Sequence, residues 1–339
     1  MIAGGSPGPG ETVAGAGERG LIAALAARLP PGPRTRVGIG DDAAVLGTPD
    51  GSVVATVDLL LEGRHFLLDW SSAADIGHKA AARSLADVAA MGAAPSALLV
   101  GLGIPGSLPA RWALDLASGL AEECARAGAA VVGGDTAAAD SVVLSVTGLG
   151  DLAGRAPVTR SGARAGDVLA VAGALGRAAA GYALLAAAVP GFPELVAAHL
   201  RPRPPYEAGP EAAALGATSM IDVSDGLVAD LGHIARASGV SIGVETARLD
   251  VGEPLGEAAR AVAASRPSSS GTGAGTPGGD LSPLAWLLTG GEDHALAATF
   301  PPGVALPPRW RVIGTVLPGA GVLVDGSPYA GPGGWEHFR

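Results

Sequence analysis

Two α/β halves in succession are the fold class this sequence predicts, and three observations carry it. The chain of 339 residues is long enough for two hydrophobic cores. Short apolar runs of strand length alternate with longer stretches of helical period, and that alternation starts afresh after Gly154. The only long segment without apolar anchors besides the amino terminus, residues 266–280, falls inside the second half and not between the halves.

Residues 1–17 are rich in Gly, Pro and Ala and lack periodicity, which predicts a disordered leader before a first helix at Glu18 to Ala27. Strands are expected at Ser52 to Val57, Ser96 to Gly103, Ala129 to Val132 and Val142 to Thr147, with helices at Asp75 to Met91 and Leu108 to Ala127. The second set is strand Asp167 to Ala172, helix Arg177 to Ala188, strand Ser219 to Val223, helix Leu227 to Ser238 and strand Val240 to Glu245. These patterns divide the chain into 18–152 and 153–339, with 266–280 as a flexible insertion.

Composition excludes several function classes. A single cysteine, Cys124, allows no internal disulfide, and no basic stretch precedes an apolar one at the amino terminus, so a cytoplasmic location is the default expectation. The longest uncharged run, Val88 to Ala110, is interrupted by Pro95, Pro105 and Pro109 and is a poor membrane span. A formal charge of −10 disfavours a nucleic-acid backbone as partner. An anionic substrate on so acidic a chain would require metal between them. Lys79 is the sole lysine, as G+C-rich coding would produce, so the many arginines carry little information by themselves.

Carboxylates gather in five short patterns. GIGDD at Gly38 to Asp42, followed by TVD at Thr56 to Asp58, places adjacent carboxylates after a Gly-x-Gly turn, which reads as a metal site or as an ordinary solvated turn. Asp87 follows Lys79 and Arg83 at helical spacing, which is either a surface charge ladder or, given the alanines around Asp87, a carboxylate packed for a purpose. VVGGDT at Val131 to Thr136 reads as a buried strand ending in glycines and Asp135, where a carboxylate at a strand's end suits Mg²⁺ held against a nucleotide; a plain glycine turn is the alternative. In MIDVSDGL, Asp222 and Ser224 share a face if the strand continues, and Asp225 is a candidate helix N-cap. Glu292 and Asp293 follow Gly290 and Gly291 in a pattern that a β-hairpin turn would also give. No GxxxxGK[ST] loop and no protein-kinase motif set exists, which removes both of those phosphoryl-transfer routes, and no Cys or His cluster has zinc spacing.

Taken together, GIGDDAAVL, TVDLLLEGRHF, HKAAARSLADVAAMGAAP, GGDT, TRSGARAGD, RPRPP, IDVSDGLVADLGHIARASG and TGGEDHAL, in this order and spacing, resemble the thiamine-monophosphate kinase family. That family lies within the aminoimidazole-ribonucleotide synthetase-like superfamily of two-domain α/β proteins. The resemblance spans residues 18–339 apart from the insertion. It implies ATP-dependent, Mg²⁺-assisted, direct in-line phosphorylation of thiamine monophosphate, with 18–152 as the ATP- and Mg²⁺-binding and dimerisation domain of a homodimer.

By that resemblance Asp42, Thr56, Asp58, Asp87, Asp135, Asp222 and Asp225 match Mg²⁺ ligands, while Gly134, Asp135, Arg160 and Ser224 match nucleotide contacts. His65, Glu292 and Trp335 match contacts to thiamine monophosphate; Asp41 matches none. A phosphate acceptor is already ionised, so several metals and correct positioning, and no catalytic side chain acting as a base, are the expected machinery. Two positions depart from the family pattern: Val57, where Thr commonly precedes the aspartate, and Ser84, where Asn is common. The first raises the question of a missing hydroxyl ligand. The alternatives are another ATP-using superfamily enzyme of the aminoimidazole-ribonucleotide synthetase type, and a catalytically silent nucleotide-binding module.

Overall fold

A computed structural model describes residues 11–37, 45–265, 282–331 and 333–335. The chain forms two compact units, one of residues 1–157 with 206–213 and the other of 158–205 with 214–339. The sequence suggested one crossing between halves near 152; the polypeptide instead crosses three times.

In the first unit, α1 (Val13–Ala26) precedes the short strands β1 (Thr35–Val37) and β2 (Val45–Leu46). The helix begins five residues before the expected Glu18, within the stretch read as leader. Then come β3 (Val54–Leu61), α2 (Ala73–Ala90), β4 (Ala94–Ile104), α3 (Ala110–Ala127), β5 (Val131–Ala138) and β6 (Val143–Asp151). The four longer strands form one sheet in the order β3-β6-β4-β5, parallel only between β4 and β5.

A capping box starts α2: the Asp75 N–H donates to the Ser72 hydroxyl, and the Asp75 carboxylate accepts the Ser72 N–H. The helix is mostly alanine because it packs backbone to backbone. A Cβ on Gly77 would stand 2.0 Å from the Leu116 carbonyl oxygen of α3, and one on Gly119 of α3 would stand 2.0 Å from that of Ala74. One face of the sheet lies under α2, where Leu60, Leu144 and Val146 are buried; on β3 the alternate residues Val57 and Leu59 are 62% and 55% exposed.

The crossing segment carries α6 (Ala208–Ala214), and Tyr206 fastens its start to the first unit. The buried Glu123 carboxylate of α3 accepts from the Tyr206 hydroxyl and from Arg126, and pairs with His78 Nε2 of α2 at 2.6 Å. Arg126 also lies over the Tyr206 ring, 4.6 Å from its centroid. Burial raises the Glu123 carboxyl, but these partners outweigh it and leave its pKa lowered. Cys124 is a core thiol, pushed up by burial and next by the Glu123 charge.

The second unit contains β7 (Val168–Ala172), α4 (Arg177–Ala186), α5 (Pro193–Leu200), β8 (Ser219–Val223), α7 (Leu227–Ser238), β9 (Ser241–Val244), α8 (Glu253–Ser265), α9 (Pro283–Thr289), β10 (Ala295–Phe300), β11 (Trp310–Leu317), β12 (Gly321–Val324) and β13 (Ser327–Pro328). Its sheet runs β13-β12-β9-β11-β7-β10-β8 and is antiparallel except between β12 and β9. Leu169, Val171, Ile221, Val223, Ile242, Val244 and Ile313 share one core with residues of the helices, including Leu184, Leu231, Leu255 and Leu287. Strand alternation turns Asp222 to the face opposite Ile221 and Val223.

Candidate functional site

In the first unit the structure joins three of the matched residues along β3 and α2. Thr56 and Asp58 share a face of β3, and Ser84 and Asp87 share a face of α2. The Thr56 hydroxyl donates to Asp87 Oδ2 at 2.8 Å, and the Ser84 hydroxyl donates to Asp58 Oδ2 at 2.8 Å. Arg83 stands 3.9 Å from the other Asp58 oxygen. The helical charge ladder is therefore not a surface feature: Arg83 turns toward Asp58, and Lys79 is 2% exposed, its ammonium donating to the His65 carbonyl.

Val57 lies between Thr56 and Asp58 in sequence, yet its side chain is on the opposite, exposed face. A hydroxyl there would not join Thr56 and Asp58, so its absence removes nothing from this cluster. Ser84, the other departure, secures Asp58 through its hydroxyl. His65 Nδ1 accepts the Leu61 N–H at 3.0 Å, which assigns the proton of the neutral ring to Nε2.

Asp135 stands elsewhere. The expected strand end after Val132 is absent, because β5 continues parallel to β4 as far as Ala138 and carries Gly133 to Thr136 within it. Asp58, Val146, Val100 and Gly134 lie in one row across the sheet. Asp135 is one row on, with Leu59, Ser145 and Gly101, so it stands at the edge opposite β3 and on the other face from Asp58; three strand spacings put the two edges about 14 Å apart. Its carboxylate accepts the Thr136 N–H at 2.9 Å. A Cβ on Gly134 would lie 2.0 Å from the Val100 carbonyl oxygen, so strand packing already requires glycine there. Asp42 and Asp41 lie outside the described residues.

The second unit brings five matched residues to one loop junction. β8 ends at Val223, so Asp222 is on the strand while Ser224 and Asp225 belong to the turn into α7. The N-cap of α7 is Gly226, at φ 135°, and not Asp225. Against this turn lies the loop from α9 to β10, which is no hairpin. The Glu292 N–H donates to the Ser224 carbonyl at 2.8 Å, and the His294 N–H to that of Val223 at 2.9 Å. The contact is so close that a Cβ on Gly291 would stand 2.3 Å from the Ser224 carbonyl oxygen. Glu292 and His294 both have positive φ, 71° and 53°, conformations that cost non-glycine residues energy and cluster at functional sites. The Trp335 N–H donates to the Asp225 carbonyl at 3.0 Å, and its side chain is exposed.

Three further residues support this junction: Asp293, noted in the sequence as a carboxylate without a role, and His294 and Asp230, which were assigned none. The buried His294 ring nitrogen Nδ1 lies 3.1 Å from Asp222 Oδ2. Asp293, also buried, accepts the N–H groups of Gly176 and Ala178 at the start of α4. Burial pushes its carboxyl up to about 7 against the opposing effect of those donors. Asp230 accepts the N–H groups of Asp225 at 3.1 Å and Gly226 at 3.0 Å. Burial, followed by the charges of Asp222 and Asp225, pushes its carboxyl up to about 8. Sequence offered one signal, the spacing of Asp230 four residues after Gly226 in the first turn of a helix.

Arg160 is exposed, and its carbonyl accepts the Ser238 hydroxyl at the end of α7. Burial lowers the His233 pKa, as do the guanidiniums of Arg236 and Arg160, while Asp225 opposes them. Arg160 and Asp225 therefore act electrostatically on the same imidazole.

Aspartate and hydroxyl oxygens are the hard donors that Mg²⁺ takes, and both clusters supply them. Among the described residues, however, no three acidic, histidine or cysteine side chains form a ready cage. The donor type fits the metal, and a bound polyphosphate would have to complete its shell.

The family described as AIR synthase related protein, N-terminal domain, matches residues 40–152. With the mixed sheets above, this defines a chain of AIR synthase-like fold. The thiamine-monophosphate kinase of Mycobacterium tuberculosis strain H37Rv is 50% identical over 305 residues, covering 89% of this chain and 86% of that protein. The crystal structure of the thiamine-monophosphate kinase from Stenotrophomonas maltophilia K279a superposes with a TM-score of 0.74 at 31% identity, covering 91% of this chain and 96% of the other. AaThiL complexed with AMPPCP and TMP superposes with a TM-score of 0.75 at 32% identity, covering 95% and 97%. This chain belongs to the thiamine-monophosphate kinase family.

Proposed function

We propose that this chain transfers the terminal phosphoryl group of ATP to the phosphate of thiamine monophosphate, giving thiamine diphosphate and ADP. The observation that carries the reading is the loop junction of the second unit, where Asp222, Ser224, Asp225, Glu292 and Trp335 meet within a few backbone hydrogen bonds. Family membership supports the same reaction.

Thr56, Asp58, Asp87, Asp135, Asp222 and Asp225, with Asp42, are the residues to hold Mg²⁺. The metal supplies charge neutralisation between two polyanions that would otherwise repel. Gly134, Asp135, Arg160 and Ser224 are assigned to the nucleotide, with the Arg160 guanidinium as a phosphate clamp. His65 offers an Nε2–H donor, Glu292 a counter-charge for the cationic thiazolium, and Trp335 an aromatic face. No protein base is required, because the acceptor oxygen is already deprotonated. A cytoplasmic location is part of the proposal; no described helix is long and apolar enough to cross a membrane.

A homodimer is part of this reading. Asp58 and Asp135 lie at opposite edges of one sheet, and closure of two copies edge to edge would shorten the separation between one protomer's Asp58 and the partner's Asp135. The exposed Val57 and Leu59 supply apolar surface for such closure. Incubation of the purified protein with Mg-ATP and thiamine monophosphate tests the chemistry: diphosphate product and ADP should appear in equal amounts and stop with a chelator. ATP binding without turnover refutes it. Mixing inactive Asp58→Asn and Asp135→Asn proteins tests the shared site, since re-dimerised mixtures should regain up to about a quarter of native activity by random pairing. No regain would place both residues at one chain's site.

A further inference from the structure

We propose that Asp230 is a positioning residue, one that fixes the Ser224–Gly226 turn in the form that receives a nucleoside triphosphate and its divalent cation. The proposal rests on the kinase reading for the identity of the ligand, but not for its geometry.

A carboxylate in the first turn of a helix commonly serves the helix alone, exposed near the N-cap. Asp230 differs in three ways. Its residue is 3% exposed, it has no ion pair among the described residues, and its electrostatic neighbours are the carboxylates Asp222 and Asp225. Burying an acid beside two others is unfavourable unless its oxygens are needed where they stand. Both N–H groups it accepts, those of Asp225 and Gly226, reach the same oxygen, Oδ2, and both belong to the turn and not to the helix interior.

The turn is otherwise held by its carbonyls. Ser224 accepts from the Glu292 N–H, and Asp225 from the Trp335 N–H. Gly226 takes φ 135° and ψ 144°, where only glycine is at ease, and a Cβ on it would lie 2.7 Å from the Thr289 carbonyl oxygen. Asp230 is thus the side-chain anchor for the amide edge of a backbone whose carbonyl edge is tied to the α9–β10 loop and to residue 335. Without it, a buried and a part-buried amide lose their acceptor and the turn loses the constraint that directs Ser224 and Asp225.

The test uses the full chain with Asp230→Ala and Asp230→Asn. Affinity for Mg-AMPPCP is measured by calorimetry, KM is measured for each substrate, and amide exchange is followed without ligand. Asp230→Ala should weaken Mg-AMPPCP binding and raise KM for ATP by about 10- to 100-fold, as loss of an outer-sphere partner does. KM for thiamine monophosphate should move by less than about threefold, and faster exchange should be confined to residues 224–226. Asp230→Asn keeps one oxygen for both amides and should remain within about threefold of native affinity. Native affinity and exchange in the alanine variant overturn the proposal, as does an asparagine variant that loses as much as alanine. If the alanine protein does not fold, Asp230→Glu displaces the oxygen while keeping the carboxyl group, and must weaken Mg-AMPPCP in the same way; native affinity there is equally fatal. A native chain that binds Mg-AMPPCP yet fails to phosphorylate thiamine monophosphate refutes the kinase reading alone.

Discussion

The two carboxylate clusters are built on different principles. In the first unit Asp58 and Asp87 stand on regular elements, a strand and a helix, and are held by hydroxyls of residues facing them. In the second unit Ser224, Asp225 and Glu292 stand on loops whose backbones grip one another, with glycines at the crossing points and positive φ at Glu292 and His294. A site on regular elements is tuned by side chains, as the Ser84 hydroxyl on Asp58 illustrates, and should tolerate exchange of one hydroxyl or amide for another. A site on interlocked loops is fixed by backbone shape and tolerates far less.

The largest expected effect tests the first cluster directly. Asp58→Asn and Asp87→Asn should each lower kcat/KM by about 10²- to 10³-fold with unchanged melting temperature, as loss of a charge-stabilising group does. A coupled assay for ADP reads this, and retention of full activity would remove either residue from the metal set. Next is Gly291→Ala, whose methyl would force the α9–β10 loop away from Ser224. About tenfold or more should be lost in kcat/KM, with the loss seen first in substrate affinity.

Ser84→Ala should cost about tenfold in kcat/KM while Ser84→Asn stays near native, and the opposite ranking would break the claim that side-chain supports in the first cluster are interchangeable. A smaller effect concerns the pH dependence of folding at Asp293. Its folded pKa of about 7 lies above the roughly 3.9 of an unfolded aspartate. Between those values the unfolded chain is ionised and the folded one protonated, so this group's stabilisation, complete below about pH 4, is lost as pH rises through 7. In Asp293→Asn the decline of thermal stability from pH 4 to 7 should be shallower by calorimetry; an unchanged slope contradicts the assignment. Val57→Thr should change nothing measurable in Mg²⁺ dependence, since that side chain lies on the other face of β3.

Legibility divides along the same line. β8 and α7 occupy the expected residues, and α2, α3 and β4 lie within two residues of expectation at either end, because unbroken runs of one period need no tertiary information. The second half of β5 was not legible, since Gly133 to Thr136 looks like a turn and becomes strand only by pairing with β4. Nor was the return of Tyr206 to the first unit, where its hydroxyl meets Glu123 from a position 83 residues away. In the site, the aspartates were visible as residue types, but the supports were not: His294 and Asp230 become meaningful only once Asp222 and the Ser224–Gly226 turn are beside them.

The sequence by itself determined the two α/β sets, the family, and the aspartates in place of a phosphate-loop lysine, because these depend on local period and on the order of short motifs. Tertiary structure alone decided which aspartates share a cluster, that Val57 is turned away from Asp58, that Asp225 is not a cap, and that Asp58 and Asp135 lie at opposite sheet edges. Such facts depend on strand order and on the close approach of backbones distant in sequence, and neither is recorded in any local pattern of residues.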